Sequence, residues 1–249
     1  MKIRIIIFAL LFFSVTQIWS QENNTSRIPL IGENAPSFTA ESTNGLITFP
    51  DDFGSKWKIL FSHPADYTPV CSSEIIELAH MQNDFDNLNT KMAIISTDML
   101  EKHYSWKKSL ESLTYKNRTP VKIEFPLIAD NKWNVSKQYG MLHPPTSTEK
   151  DVRGVFIIDP ANKVRAIFFY PMQIGRNMDE IRRTVIALQT ADKEKVLTPA
   201  NWAPGDDVMI PYLKSSGETE NLGTSNDQNI YKVSWYMIFK KLNTSTSMK

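Results

Sequence analysis

Trp57-Lys58-Ile59-Leu60-Phe61-Ser62-His63-Pro64-Ala65-Asp66-Tyr67-Thr68-Pro69-Val70-Cys71 carries the handover from a strand to a helix. Trp57 to Ser62 is a mostly apolar run of the length of a buried strand. From Ser72 to Leu88, the residues Ile75, Ile76, Leu78, Ala79, Met81 and Phe85 recur at helical spacing. Thr68 suits the N-cap, and Pro69 suits the first helical position, where a missing N–H costs nothing. Cys71 then falls in the first turn. There the unsatisfied backbone N–H groups and the positive end of the helix dipole favour an anion. A thiol in that place is expected to lose its proton more readily, and the thiolate is the nucleophile.

Cys71 is the only cysteine among 249 residues. No disulfide can form within the chain, so the thiol is reactive, pairs with another molecule, or lies buried and inert. The helix-start position favours the reactive reading. The chain is long enough for one sizeable core with a smaller appendage. Its net charge of +1 gives no reason to expect a nucleic-acid partner. Lys2 and Arg4, then the apolar run Ile5 to Trp19, match the charged start and apolar segment of a signal peptide. Ser20 is a small residue before a cut, with polar Gln21-Glu22-Asn23-Asn24 beyond it. The mature protein is therefore expected to be exported, periplasmic or secreted, without residues 1–20. An uncleaved membrane anchor is the alternative.

Along the chain, Gly45 to Phe49 reads as a short strand and Asp51-Asp52-Phe53-Gly54 as a turn. Lys91 to Ser96 is a second buried strand. Lys102 to Leu113 is a helix with Trp106, Leu110 and Leu113 on one side. Phe125 to Asp130 is a short segment, and Trp133 to Gly140 a short helix closed by glycine. Gly154–Ile158 and Val164–Phe169, joined by Asp159-Pro160-Ala161-Asn162, form a hairpin. Asp179 to Thr190 is a helix. Strands alternating with helices, closed by a hairpin and a helix, define an α/β sheet covered on both faces. Beyond Ala191, the Pro-rich Thr198 to Asp206 is extended, Lys214 to Gln228 is a polar loop, and Tyr231 to Leu242 reads as a terminal strand.

Pro64-x-x-x-Thr68-x-x-Cys71 resembles the active-site motif of peroxiredoxins. Ser62-His63-Pro64 with Thr68-Pro69-Val70-Cys71 resembles the one-cysteine group of that family. Gly32-Glu33-Asn34-Ala35-Pro36 resembles the family's opening segment, and Trp202 followed by Gly205-Asp206 resembles its C-terminal extension. The resemblance spans roughly residues 29–242. It implies a thioredoxin-like fold over residues 29–190 and an extension over 191–249 that lies across a partner subunit. The expected assembly is a homodimer or a higher homo-oligomer.

The resemblance implies a peroxidase in which Cys71 attacks hydrogen peroxide or a small organic hydroperoxide and becomes a sulfenic acid. Thr68, one helical turn before Cys71, can donate to sulfur or peroxide oxygen. Pro64 has no donor and shapes the loop that shields the thiolate. Arg153, in Arg-Gly-Val-Phe-Ile-Ile-Asp-Pro, faces the cysteine in the family and would hold peroxide oxygens. Arg176 matches a second arginine that orients the site. Glu74, on the helix face of Cys71, is either a first-turn acid favoured by the dipole or a partner for Arg176. His63 is a packed histidine, or the histidine that the one-cysteine group carries near the thiol.

No metal, haem or flavin is implied, and His80, His103 and His143 have no metal-ligand spacing. Where some members of the group carry a lipase-like serine this chain has Lys56, so phospholipase activity is not expected. Reduction of the sulfenic acid must come from an external thiol or a reductase protein. A redox-inactive holdase or binding protein on the same scaffold is the alternative from another class. A disulfide oxidoreductase would need a second cysteine.

Overall fold

The computed structural model describes residues 27–211 and 229–242. The expected signal segment, residues 1–20, and the polar loop, residues 214–228, lie outside the described residues. The polypeptide winds through β1 (Phe38–Ser42), β2 (Gly45–Phe49), β3 (Trp57–Ser62), α1 (Pro69–Asn87), β4 (Thr90–Ser96), α2 (Leu100–Leu110), β5 (Leu127–Ala129), α3 (Asn134–Gln138), β6 (Arg153–Ile158), β7 (Val164–Tyr170) and α4 (Met178–Glu194). Three short strands close the chain: β8 (Val208–Met209), β9 (Ile230–Ser234) and β10 (Met237–Lys240).

The seven strands of the main sheet run in the order β2-β1-β5-β4-β3-β6-β7. β3, β4 and β5 are parallel, and every other pairing is antiparallel. The parallel pair β3–β4 needs a crossover, and α1 supplies it. β3 lies in the interior of the sheet, between β4 and β6, with all its residues buried. Even Lys58 is buried there, its ammonium donating to Asn162 Oδ1 at 2.6 Å.

The twofold period of the strands splits the core into two layers. Ile59, Phe61, Ile94, Val155 and Ile157 pack on one face, with Ile75, Leu78 and Phe85 of α1, Trp106 of α2 and Ile181 and Val185 of α4. Leu60, Ala93, Ile95, Phe156 and Ile158 pack on the other, with Val135 of α3 and Tyr139. The sheet is thus covered on both faces, as the alternation of elements implies.

Four local expectations change. Thr198 to Asp206 is not extended: it folds into turns closed by bonds from Trp202 N–H to Pro199 O at 3.2 Å and from Asp206 N–H to Ala203 O at 3.0 Å. Phe38–Ser42, not assigned from the sequence, is a strand because it pairs along its whole length with β2. α2 begins at Leu100 and ends at Leu110, so Leu113 is exposed rather than on the buried face. Its end tightens through bonds from Ser112 N–H to Ser109 O and from Leu113 N–H to Leu110 O, both 3.1 Å. The segment 231–242 is a hairpin, β9 turning into β10 at Trp235-Tyr236, not one strand. Neither turn residue is the Gly or Asn that announces a two-residue hairpin.

The C-terminal strands form a separate sheet in the order β8-β10-β9. Trp202 anchors this region: it is buried with Ala187, Val196 and Val208, and its indole N–H donates to Asp206 O at 3.1 Å. Among the described residues no helix is long and apolar enough to cross a membrane.

Candidate active site

Cys71 lies beyond the C-terminal end of β3, in the first turn of α1, and its side chain is fully buried. Thr68 does occupy the N-cap position, with φ −100° and ψ 147°, and Pro69 opens the helix. The Thr68 hydroxyl, however, makes no capping bond; it donates to Ala65 O at 2.9 Å. The first-turn N–H groups, which have no partner inside a helix, therefore stay available to an anion. The Thr68 carbonyl closes the turn, accepting from Ser72 N–H at 2.9 Å and from the Ser72 hydroxyl at 2.8 Å.

Two arginines converge on this turn from across the sheet. Arg153 opens β6, which pairs with β3, and its Nη1 lies 3.3 Å from Cys71 Sγ and 2.8 Å from Glu74 Oε2. Its Nε and Nη2 both donate to Met172 O, at 3.0 and 2.6 Å, which fixes the guanidinium plane. Arg176 donates to Glu74 through Nε (3.0 Å, to Oε1), Nη2 (2.7 Å, to Oε2) and its backbone N–H (2.8 Å, to Oε1). Its Nη1 donates to Ser62 O at 2.9 Å and Gly154 O at 2.8 Å. Glu74 thus joins both arginines, not Arg176 alone.

Burial alone would raise the Glu74 carboxyl. The Arg176 charge and hydrogen bonds, with Arg153 behind them, outweigh it and hold the carboxyl below its ordinary 4.5. Two guanidiniums against one carboxylate leave a surplus positive charge beside Sγ. A buried charge needs a partner, and an anionic sulfur or a peroxide oxygen supplies it.

Ser62, missed in the sequence, ties the arginine strand to β3. Its hydroxyl donates to Val152 O at 2.7 Å and accepts from Gly154 N–H at 2.8 Å. The approach is close enough that a Cβ on residue 154 would meet Ser62 Oγ at 2.9 Å, which explains the glycine beside Arg153. Its signals in the sequence were a hydroxyl ending a mostly apolar strand and its place in the Ser62-His63-Pro64 motif, neither of which names its partners.

Pro64 is buried in the loop between β3 and α1. His63 is buried as well, its ring 5.2 Å from that of Trp106. Its Nε2 stands 3.6 Å from Asp66 Oδ1, yet burial outweighs the attraction of that carboxylate, and the ring's pKa falls from 6.5 to about 4. His63 is therefore neutral at pH 7. A base whose folded pKa is depressed binds its proton first in the unfolded chain. Its contribution falls as pH drops below 6.5 and is gone below about 4. Between pH 7 and pH 5 this costs about 2 kcal/mol of stability. Urea unfolding at the two pH values, compared with His63→Phe, should show that difference; equal slopes in the two proteins would refute it.

Among the described residues no cluster of three or more His, Cys, Asp or Glu side chains could hold a metal. A thioredoxin-like sheet with a buried cysteine at a helix start, contacted by an arginine, defines a thiol peroxidase. Comparison with known proteins gives the family. Residues 31–167 match the AhpC/TSA family, and residues 187–220 match the C-terminal domain of 1-Cys peroxiredoxin.

The chain is 48% identical over 215 residues to a peroxiredoxin of Methanosarcina mazei, covering 86% of this chain and 98% of that protein. It is 42% identical over 220 residues to a peroxiredoxin of Thermotoga maritima, covering 87% and 99%. Among solved structures, it resembles the yeast mitochondrial 1-Cys peroxiredoxin, with a TM-score of 0.74, 36% identity and coverage of 86% of this chain and 100% of the other. It also resembles a cysteine-to-serine mutant of the peroxiredoxin 6 of Arenicola marina, with a TM-score of 0.75, 32% identity and coverage of 86% and 99%. The chain belongs to the AhpC/TSA family as a 1-Cys peroxiredoxin, a thiol-dependent peroxidase.

Proposed function

We propose that Cys71 is the peroxidatic nucleophile and that it reduces hydrogen peroxide and small organic hydroperoxides. The observation that carries this reading is the 3.3 Å contact between Arg153 Nη1 and Cys71 Sγ. The sulfur anion attacks the terminal peroxide oxygen; an S–O bond forms as the O–O bond breaks. Sulfur gives up two electrons, the leaving oxygen departs as water or alcohol with one proton taken up, and a sulfenic acid remains. Arg153 and the free first-turn N–H groups stabilise the charge that moves onto the leaving oxygen. Thr68, whose hydroxyl proton is taken by Ala65 O, positions the peroxide by accepting from its O–H rather than by donating; Pro64 and His63 shape and shield the site, and Glu74 with Arg176 holds Arg153 in place. Peroxide consumption by the purified protein, measured with a panel of thiol donors and reductase proteins, tests the reading. Consumption no faster than background with every donor would sink it.

The same reading places the sulfenic acid's reductant outside the chain, as a small thiol or a dedicated protein. It also includes a homodimer. Val233 and Tyr236, on the β9–β10 hairpin, are 64% and 59% exposed, and Tyr231 and Trp235 are exposed beside them. Such an apolar group of side chains needs cover, and a second copy of the chain supplies it. A chain ending at Leu213 should have a lower mass in solution than the full protein at equal concentration; equal masses would count against the hairpin. Export follows from Lys2, Arg4 and the apolar run ending at Trp19. N-terminal sequencing of protein from the native host should begin near Gln21, and a soluble form that begins at Met1 contradicts it.

A further inference from the structure

A second buried cluster lies under the loop that joins β3 to α1. It comprises His63 at the start of the loop, Asp66 within it and His103 on α2, none more than 3% exposed. His103 Nε2 is 3.0 Å from Ile128 O, and His103 Nδ1 is 2.7 Å from Asp66 Oδ2. A carbonyl can only accept, so Nε2 carries a hydrogen. The short Nδ1–Oδ2 contact then encloses a second proton, on the ring or on the carboxyl, since two lone pairs would repel there. Either way the pair holds that proton in a site closed to water.

The backbone of Asp66 is held as well, which fixes the loop at this residue. Asp66 N–H donates to Asp98 Oδ2 at 2.7 Å, and Asp98 Oδ1 takes Lys102 at 2.8 Å and Lys150 at 3.4 Å. The remaining oxygen, Asp66 Oδ1, faces His63 Nε2 across 3.6 Å. Among the described residues Asp66 Oδ1 and both ring nitrogens of His63 have no hydrogen-bond partner. Buried polar atoms left so are rare and call for a physical reason. The Arg176 charge also disfavours a proton on His63, and the Glu74 charge favours one.

We propose that Asp66 and His103 are positioning residues for the peroxidase reaction. Their shared proton pins the loop that carries Pro64 and Thr68. Asp66 Oδ1, 3.6 Å away and beyond hydrogen-bond reach, favours by its negative charge the His63 tautomer with hydrogen on Nε2, which leaves Nδ1 as a buried, unprotonated base. The inference rests on Cys71 being the nucleophile only for its effect on rate; the tautomer stands apart from that reading.

Nitrogen NMR of the full, reduced chain with labelled histidine at pH 7 tests the tautomer directly. The expected result is His63 protonated on Nε2 alone, with His103 protonated on Nε2 and sharing a proton at Nδ1. His63 protonated on Nδ1, or on both nitrogens, overturns the proposal without any variant. The rate of Cys71 oxidation in a single turnover with hydrogen peroxide tests the positioning. In His103→Asn the amide nitrogen stands where Nδ1 was and still donates to Asp66. In His103→Gln it stands where Nε2 was, and the link to Asp66 is lost. The Gln variant should oxidise roughly tenfold to a hundredfold more slowly and the Asn variant within about threefold of the parent, as expected for displaced positioning groups. Equal rates in both variants, with the His63 tautomer unchanged, would leave the cluster merely structural and overturn the proposal. A Cys71 inert to peroxide would instead refute the nucleophile reading, and the NMR result would still decide the cluster.

Discussion

Cys71→Ser should consume hydrogen peroxide no faster than the uncatalysed background, whichever thiol is supplied. The chain has one sulfur that can be a thiolate, and the Arg153 guanidinium contacts it. A serine hydroxyl in the same place does not ionise and cannot take up the surplus charge of the two arginines. The parent protein should in turn carry the chemical record of a cycle without a second cysteine. Its sulfenic acid cannot be captured by a thiol of its own chain, so further peroxide drives it to sulfinic and then sulfonic acid. Mass spectrometry after peroxide treatment should show Cys71 gaining two and then three oxygens, more so when external thiol is scarce. Two Cys71 residues could meet only if the first turn of α1 unwound in both copies, because the side chain is fully buried. A disulfide-linked dimer as the main product would overturn this account of the cycle.

Glu74→Ala should be the most destabilising single change in the site, costing about 3–5 kcal/mol, because it strands two buried guanidiniums. Arg153 and Arg176 are 2% and 6% exposed, so both charges lose their partner in a largely desolvated place. Peroxidase activity per folded molecule should fall too, since the Nη1 that reaches Cys71 is the one that Glu74 holds. Glu74→Gln keeps the shape and should fall between parent and alanine. The pH dependence has a definite sign. The folded carboxyl is held below 4.5, so its contribution is complete above that value and drains away as pH falls through the depressed folded pKa. Urea unfolding of parent and Glu74→Ala at neutral pH and at pH near 3 should show the gap between them shrinking. A gap at neutral pH of less than about 1 kcal/mol, the scale of an exposed ion pair, would refute the buried network.

The Arg153–Glu74–Arg176 group also explains why the site tolerates a wholly buried cysteine. Hydrophobic side chains of similar volume would pack at lower desolvation cost. The arginines instead leave a fixed positive charge beside a fully buried sulfur. Fixing that charge before the reaction avoids reorganisation when charge moves onto the leaving oxygen.

Local order was legible in the sequence wherever short-range chemistry decides it. The strand Trp57–Ser62 and the helix start at Pro69 fall where the apolar run and the proline put them. β2 likewise falls at Gly45–Phe49, and the hairpin of β6 and β7 turns at Asp159 to Asn162. Cys71 in a first turn followed from those boundaries alone. The family motif added the two arginines, but their geometry came only with the sheet. β6 pairs with β3 although α1, β4, α2, β5 and α3 lie between them in sequence, and that pairing carries Arg153 to the thiol. No spacing rule links residues 74, 153 and 176, because their approach is paid for by burial of the whole sheet rather than by local backbone preference. The same reason hides the Thr68 hydroxyl's choice of Ala65 O over the helix end, the bridge made by Ser62, and the contact of Asp66 with His103. Each is one polar side chain choosing among several partners, and only tertiary packing decides which partners are near enough to bond and which are shut away from water.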